Sequence, residues 1–283
     1  MTSLHPPPPT PGAPAHTVLF DWNLDQFDEL VRNCAEDDTV NLALRFLPAT
    51  GLVLEAGCGP GHVVAYLREK GFDIEGVELN ALVVEEALRR HPGLRIAVGD
   101  VATLPVPDGT YAGLLSFGVI EHFPAGPEAP LAEHRRVLRP GGVAIISVPS
   151  YNRLRRLEHG LRALLRPLRP RNFPPWRPRG RPLNIRGRDG FRFHVDPRQG
   201  PFFEYWLRPA EFEQAIRAAG FEIVASLPTH HLVGLWSLFG DRLVRNEARR
   251  FRPTAAARWL DRLLRSWPYC HNHMHTIVAR RLA

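Results

Sequence analysis

The chain has one lysine, three cysteines and two methionines among 283 residues, and each scarcity excludes something. Cys34, Cys58 and Cys270 are far apart and odd in number, so no disulfide framework is suggested. No apolar run approaches the ~18 residues of a membrane span. The first residues lack the basic, apolar, cleavable pattern of a leader, so the expected compartment is the cytoplasm. The length suits one large domain or two small ones on a soft prior of about 150 residues per domain, and is ample for a buried core. Residues 1–16 are Pro-rich and read as a disordered tail, with a single domain expected over 17–283.

What is present begins with LVLEAGCGPGH, residues 52–62. An apolar run ends in Glu55, glycines follow at Gly57, Gly59 and Gly61, and a helix-like run starts at Val63. This reads as a buried strand, a tight glycine turn and a helix start. Ala56 and Cys58 fill the turn, where a small residue suffices. A dinucleotide turn, G-x-G-x-x-G, would need a glycine at position 62, which is His62. The acid two residues before the first glycine would repel a pyrophosphate and attract an ammonium. S-adenosyl-L-methionine carries such an ammonium and no phosphate, so it suits the turn better than a nicotinamide dinucleotide.

Two more acids follow at regular distance. DIEGVELN (73–80) is a second strand ending in Glu78 and Leu79, 23 residues beyond Glu55. An acid at that tip can accept from both ribose hydroxyls. The segment 94–111 is a third strand ending in Gly99, Asp100 and Val101, and Asp100 lies 22 residues beyond Glu78. Asp100 can accept from the adenine amine while Val101 covers the ring. YAGLLSFGVIEHF (111–123) is a fourth strand that brings Phe117, Glu121 and His122 to a polar loop, and 136–150 reads as a helix end, a Pro-Gly-Gly turn and a fifth strand. Singly, each acid could merely cap the following helix; three at nearly equal spacing argue for one ligand.

On these residues the chain resembles a class I S-adenosylmethionine-dependent methyltransferase, of the broad bacterial type that includes the ubiquinone/menaquinone biosynthesis enzymes. EAGCGPG, GVELN, GDVATLPVPDGTY, GVIEHF and LRPGG carry the likeness closely over about 50–150. Residues 203–224 resemble the late helix and sixth strand, and 275–281 the seventh, antiparallel strand. Many relatives have Asp where this chain has Glu55, which keeps the charge. The resemblance implies an α/β, Rossmann-like, seven-stranded and mostly parallel sheet with helices on both faces. It implies a helical cap at 17–49, a cofactor core at 50–150, an inserted basic lid at 151–205, and a helix with strands six and seven at 206–283. Methyl transfer to a small-molecule or lipid-linked acceptor follows as the expected activity. Glu121 and His122 are catalytic candidates, and Trp22, His230 and His231 candidates for the acceptor pocket. A non-catalytic binder of the same cofactor and, more remotely, a nicotinamide-dependent oxidoreductase are the alternatives.

The net charge of +7 is uneven: residues 151–200 hold fourteen arginines against three acids, a local +11 that leaves the remainder at −4. Leu154, Leu157, Leu161, Leu164, Leu165 and Leu168 form one helical stripe with arginines beside it. The favoured expectation is that the leucines pack on the protein as a lid; contact of 151–168 with an anionic membrane is the alternative. The charge suggests an anionic or lipid-linked acceptor. Nucleic acid is disfavoured, because no RNA-binding module is visible and Phe117-Gly118-Val119 stands where base-amine methyltransferases often carry NPPY or DPPY. His271, His273 and His275 would share one face if all lay on a strand, as a base cluster or a metal site. Their spacing matches no zinc signature, and no metal is expected.

Overall fold

The computed structural model describes residues 22–123, 125–165, 191–196, 200–247 and 250–283; the Pro-rich tail and the Pro/Arg segment 166–182 lie outside them. Two helices, α1 (Phe27–Asn33) and α2 (Asp38–Phe46), precede β1 (Val53–Ala56), α3 (His62–Glu69), β2 (Ile74–Glu78), α4 (Ala81–Arg90) and β3 (Ile96–Val98). Then come β4 (Tyr111–Phe117), α5 (Glu128–Val137), β5 (Leu138–Pro149), α6 (Arg153–Leu165), β6 (Phe191–Asp196) and β7 (Gly200–Tyr205). The chain continues through α7 (Pro209–Ala218), β8 (Phe221–Thr229), α8 (His231–Phe239), β9 (Val244–Glu247), β10 (Arg250–Pro253), α9 (Ala255–Arg265) and β11 (Met274–Arg281).

Seven strands form one sheet in the order β3-β2-β1-β4-β5-β11-β8. The first five pair in parallel, and β11 runs antiparallel between β5 and β8. Parallel strands covered on both faces read as continuous apolar runs, and β1 and β4 do. Alternate side chains go to opposite faces. Leu54, Leu114, Ile146 and Ile277 join one core; their neighbours Val53, Leu115, Ile145 and Val278 join the other. The strand order reverses beside β1, so the carboxyl ends of β1 and β4 border the crevice where open α/β sheets bind ligands.

Three expectations are corrected. The Pro-Gly-Gly segment is a bulge within β5, with Gly141 at φ +74°, where the β4–β5 register shifts. Between β8 and β11 the chain builds α8, the β9–β10 hairpin and α9, packed on a small cluster of Leu235, Val244, Ala257, Leu264 and Cys270. Among the described side chains of α6 the leucines do not form one packed stripe: Leu154 packs, but Leu157 and Leu161 are exposed, while Arg155 is buried; Leu164, Leu165 and Leu168 lie outside them. The Arg155 guanidinium lies 4.0 Å from the Trp206 ring centroid and donates to Ser150 O (3.2 Å) and His273 Nδ1 (2.8 Å). A planar cation with that many partners tolerates burial where a lysine would not. Turning it inward turns Leu157 and Leu161 out.

Candidate active site

The glycine turn forms because β1 must reverse direction at once into α3. Gly57 has φ +79° and Gly59 φ +54°. A Cβ on Gly57 would lie 2.5 Å from Val119 Cγ2, and one on Gly59 2.8 Å from the Trp22 indole, so both positions exclude a side chain. Gly61, also left-handed, caps the start of α3. Ala56 is wholly buried, and Cys58 packs against Gly76. Burial pushes the Cys58 thiol up, which holds it protonated and excludes it as a nucleophile.

Glu55 is the unusual group. Its residue is 3% exposed and its Oε2 has no hydrogen-bond partner. Burial, then the Glu78 carboxylate, raises its pKa well above the ordinary carboxylate value, against a lowering by the Val64 N–H. A buried carboxylate with an orphaned oxygen calls for a cation. Glu78 Oε2 accepts from Gly59 N–H at 2.9 Å and Oε1 from Asn80 N–H at 3.0 Å, so this acid ties the glycine turn to the start of α4. Asn80, rather than Glu78, caps α4 with its side chain. Asp100 Oδ1 accepts from Ala102 N–H at 2.8 Å, while Val101 is buried in the core and Leu79 is exposed. No helix follows Asp100, whose bond closes a turn, and at the second strand the helix cap is Asn80, so the capping role falls to neither acid.

A cavity of about 440 Å³ opens beyond the turn. Trp22, Glu55, Gly57, Cys58, Phe117, His230 and His231 line it; Glu78, Asp100, Val101, Glu121 and His122 do not. Glu121 and His122 sit in a 3-10 turn, Ile120–His122, with Glu121 Oε1 3.7 Å from His122 Nε2. Burial holds Glu121 well above its ordinary pKa.

The far wall is set by tertiary contacts. The start of β11 lies against the end of β8, and His273 N–H donates to His230 O at 3.2 Å. Asp38 Oδ2 accepts from His230 N–H at 2.6 Å, and Asp37 Oδ2 lies 3.1 Å from His230 Nε2. These contacts hold His230 at φ 57°, a costly backbone for a residue with a Cβ. The Asp37 and Asp38 carboxylates outweigh desolvation and raise the His230 pKa; His230 in turn holds Asp37 low. Burial, then Arg155, keeps His273 well below 6.5, hence neutral.

The three C-terminal histidines do not cluster. His271 Nε2 pairs with Asp261 Oδ1 at 2.7 Å, His273 with Arg155, and His275 Nε2 with Ser226 Oγ at 2.8 Å. Only His275 is in β11, so the shared strand face does not exist. Among the described residues no group of three His, Cys, Asp or Glu could hold a metal ion. The sequence reading missed Asp37 and Asp38, and placed His273 in a histidine cluster rather than beside His230. The D-D-T run at 37–39 carried a helix N-cap signal, and Asp37 does cap α2, but nothing local announces its second bond, to His230.

A sheet of this order, with an acid-then-glycine turn at the point where it reverses, defines a class I methyltransferase architecture that binds a cation-bearing nucleoside. A family model described as a methyltransferase domain matches residues 27–226, and the chain belongs to that family. A probable S-adenosylmethionine-dependent methyltransferase of Mycolicibacterium smegmatis is 31% identical over 215 residues, covering 75% of this chain and 68% of the relative. The malonyl-[acyl-carrier protein] O-methyltransferase of Pectobacterium atrosepticum is 36% identical over 121 residues, 42% of this chain and 46% of that one. A crystal structure of a methyltransferase from Methanosarcina mazei matches in fold with TM-score 0.56 at 17% identity, covering 85% of this chain and 97% of that one. The protein is an S-adenosylmethionine-dependent methyltransferase. Among the described residues no helix is long and apolar enough to cross a membrane.

Proposed function

We propose that the enzyme methylates a small-molecule or lipid-linked acceptor of anionic character, bound in the cavity between the glycine turn and His230. The observation that carries this reading is that one cavity is lined both by Glu55 and Gly57 of the glycine turn and by His230 and His231. The cofactor supplies an electrophilic methyl group on a sulfonium. Glu55 would accept from its ammonium, with Gly57, Gly59 and Gly61 admitting the methionine backbone. Glu78 would take the ribose, since each of its oxygens keeps a lone pair beyond its backbone bond. Asp100, Val101 and Leu79 would border the adenine along the sheet edge, outside the cavity.

In-line displacement needs alignment and exclusion of water more than acid–base chemistry, because the leaving group is already good. Trp22 and Phe117 would supply the apolar walls that fix the acceptor. His230, supported by Asp37, and neutral His273 are the polar groups beside it. Glu121 and His122 would shape the site from the turn after β4 without reaching the acceptor volume. Arg250 and Arg265 line the same cavity, paired with Glu36 and Asp261 and beside Asp37, Asp38 and Glu55, so the anionic character rests on the basic segment 151–200 rather than on this lining. The malonyl-[acyl-carrier protein] and demethylmenaquinone that two relatives' names give as substrates are in keeping with a small or lipid-linked acceptor. Contact of 151–168 with a membrane would bring the enzyme to such a substrate.

The test is calorimetry with S-adenosylmethionine, S-adenosylhomocysteine and NAD, followed by labelled methyl donor in fractionated cell extract. Binding of the first two only, with label entering the organic-soluble fraction, is expected. Label confined to RNA, or to protein side chains rather than to a carrier-linked acyl group, would overturn the acceptor assignment.

A further inference from the structure

The C-terminal insertion carries a surface that the site does not use. On α9, Trp259 is 65% exposed and Leu263 49%, and Trp267 just past the helix is 57% exposed. Trp259 and Leu263 are four residues apart and share one side of the helix, and Trp267 follows in the turn at its end. The opposite side is occupied: Ala257 and Leu264 are buried in the insertion's own core, and Asp261 is bonded to His271 and Arg265. Arg258, Arg262 and Arg265 flank the exposed stripe on one side. Arg262 makes no hydrogen bond or ion pair among the described residues, and Arg258 bonds only a backbone carbonyl, Pro253 O. Between 242 and 267 the sequence has eight arginines and two acids, a second basic stretch as uneven as 151–200.

Helix α6 starts against the turn that follows α9: its Arg153 and Leu154 N–H groups donate to Tyr269 O and Cys270 O, each at 3.0 Å. It adds exposed Leu157 and Leu161 with exposed Arg153 and Arg156. Two tryptophans and leucines in line with arginines match an anionic bilayer surface. Indole rings sit at the headgroup level, leucines reach the acyl boundary, and guanidinium groups meet lipid phosphates. A protein partner would be favoured by the apolar stripe alone; the unpaired arginines beside it favour a surface of negative charge.

We propose that α9, through Trp259, Leu263 and Trp267 with Arg258 and Arg262, is a docking face for anionic membrane surfaces. This goes beyond membrane contact through 151–168 and does not depend on which acceptor the site takes. Arg265 belongs both to this helix and to the cavity wall, so docking would bring the acceptor site near the lipid.

The experiment is co-sedimentation of the full chain with phosphatidylglycerol/phosphatidylcholine vesicles and with phosphatidylcholine alone, at low and high salt. Binding to the anionic vesicles only, lost at high salt, is expected. Trp259→Ser/Trp267→Ser should abolish it. Arg258→Gln/Arg262→Gln should weaken it about 25-fold, each arginine near an anionic surface being worth about a fivefold change. Unchanged S-adenosylmethionine binding and circular dichroism would show that both variants fold and that the active-site reading stands apart. No binding to anionic vesicles, or binding that the variants retain, overturns the proposal. So does concentration-dependent dimerisation removed by the tryptophan substitutions, which would make the stripe a contact between two copies.

Discussion

Glu55→Gln separates what Glu55 costs the fold from what it contributes to binding. The carboxylate is buried with one orphaned oxygen beside the Glu78 charge, and its pKa is raised well above the ordinary carboxylate value. In the empty protein it therefore keeps its proton longer than in the unfolded chain. Its penalty is absent below the unfolded value and grows as pH rises through the folded one. Glutamine has no proton to lose, so the stability of the empty variant relative to wild type should rise with pH; a thermal-shift series from pH 4 to 9 reads this. Binding a cation must reverse the shift, so wild type should release a proton on binding S-adenosylmethionine and bind more tightly as pH rises. Calorimetry in buffers of different ionisation enthalpy measures that proton. Removing one member of a buried charge pair costs about 2–4 kcal/mol, or roughly 30- to 1000-fold in affinity. An affinity within threefold of wild type, with no pH dependence in either protein, would refute the assignment of Glu55 to the ammonium.

Glu78→Ala should weaken cofactor binding sharply and also lower stability by roughly 1–3 kcal/mol, because it strands the N–H groups of Gly59 and Asn80; unchanged affinity in calorimetry would contradict the ribose role. His134 is fully buried with neither ring nitrogen bonded, and burial lowers its pKa to about 4. The unfolded chain then binds the extra proton between about pH 6.5 and 4, so roughly 3 kcal/mol of stability should be lost across that window. His134→Leu should flatten this acid slope in urea titrations. Asp37→Asn removes the partner of His230 and weakens the cap of α2. Asp37 is depressed, so its contribution is lost as pH falls; His230 is raised, so its contribution is lost as pH climbs past its folded value. The substitution should cost most, about 1–2 kcal/mol after allowance for a partly exposed pair, between pH 4 and 6.5 and less at pH 9. A melting-temperature difference independent of pH would count against the ion pair.

Much of the sheet was legible because its signals are local. Leu54 and Val53 alternate faces, Gly57 and Gly59 need left-handed backbone, and the acids recur at strand ends. The C-terminal insertion was not legible in this way. HLVGLWSLF is apolar nearly all round, so α8 shows no clear face, and α9 puts tryptophans where a packed helix would carry charge. The spacing placed Glu55, Glu78 and Asp100 at successive strand ends, but it did not show that Glu55 alone would line the cavity.

By itself the sequence determined the parallel core, the glycine turn and the kind of cofactor, since each rests on what a few neighbouring residues permit the backbone to do. Only the tertiary structure decided the acceptor wall. β11 enters between β5 and β8, which sets His273 beside His230 and brings Asp37 from nearly two hundred residues away. It also decided which side of α6 faces water, because Arg155 found Trp206 and His273 as partners. Burial of a charge depends on what surrounds it in space, and that is not written in the spacing of its neighbours along the chain.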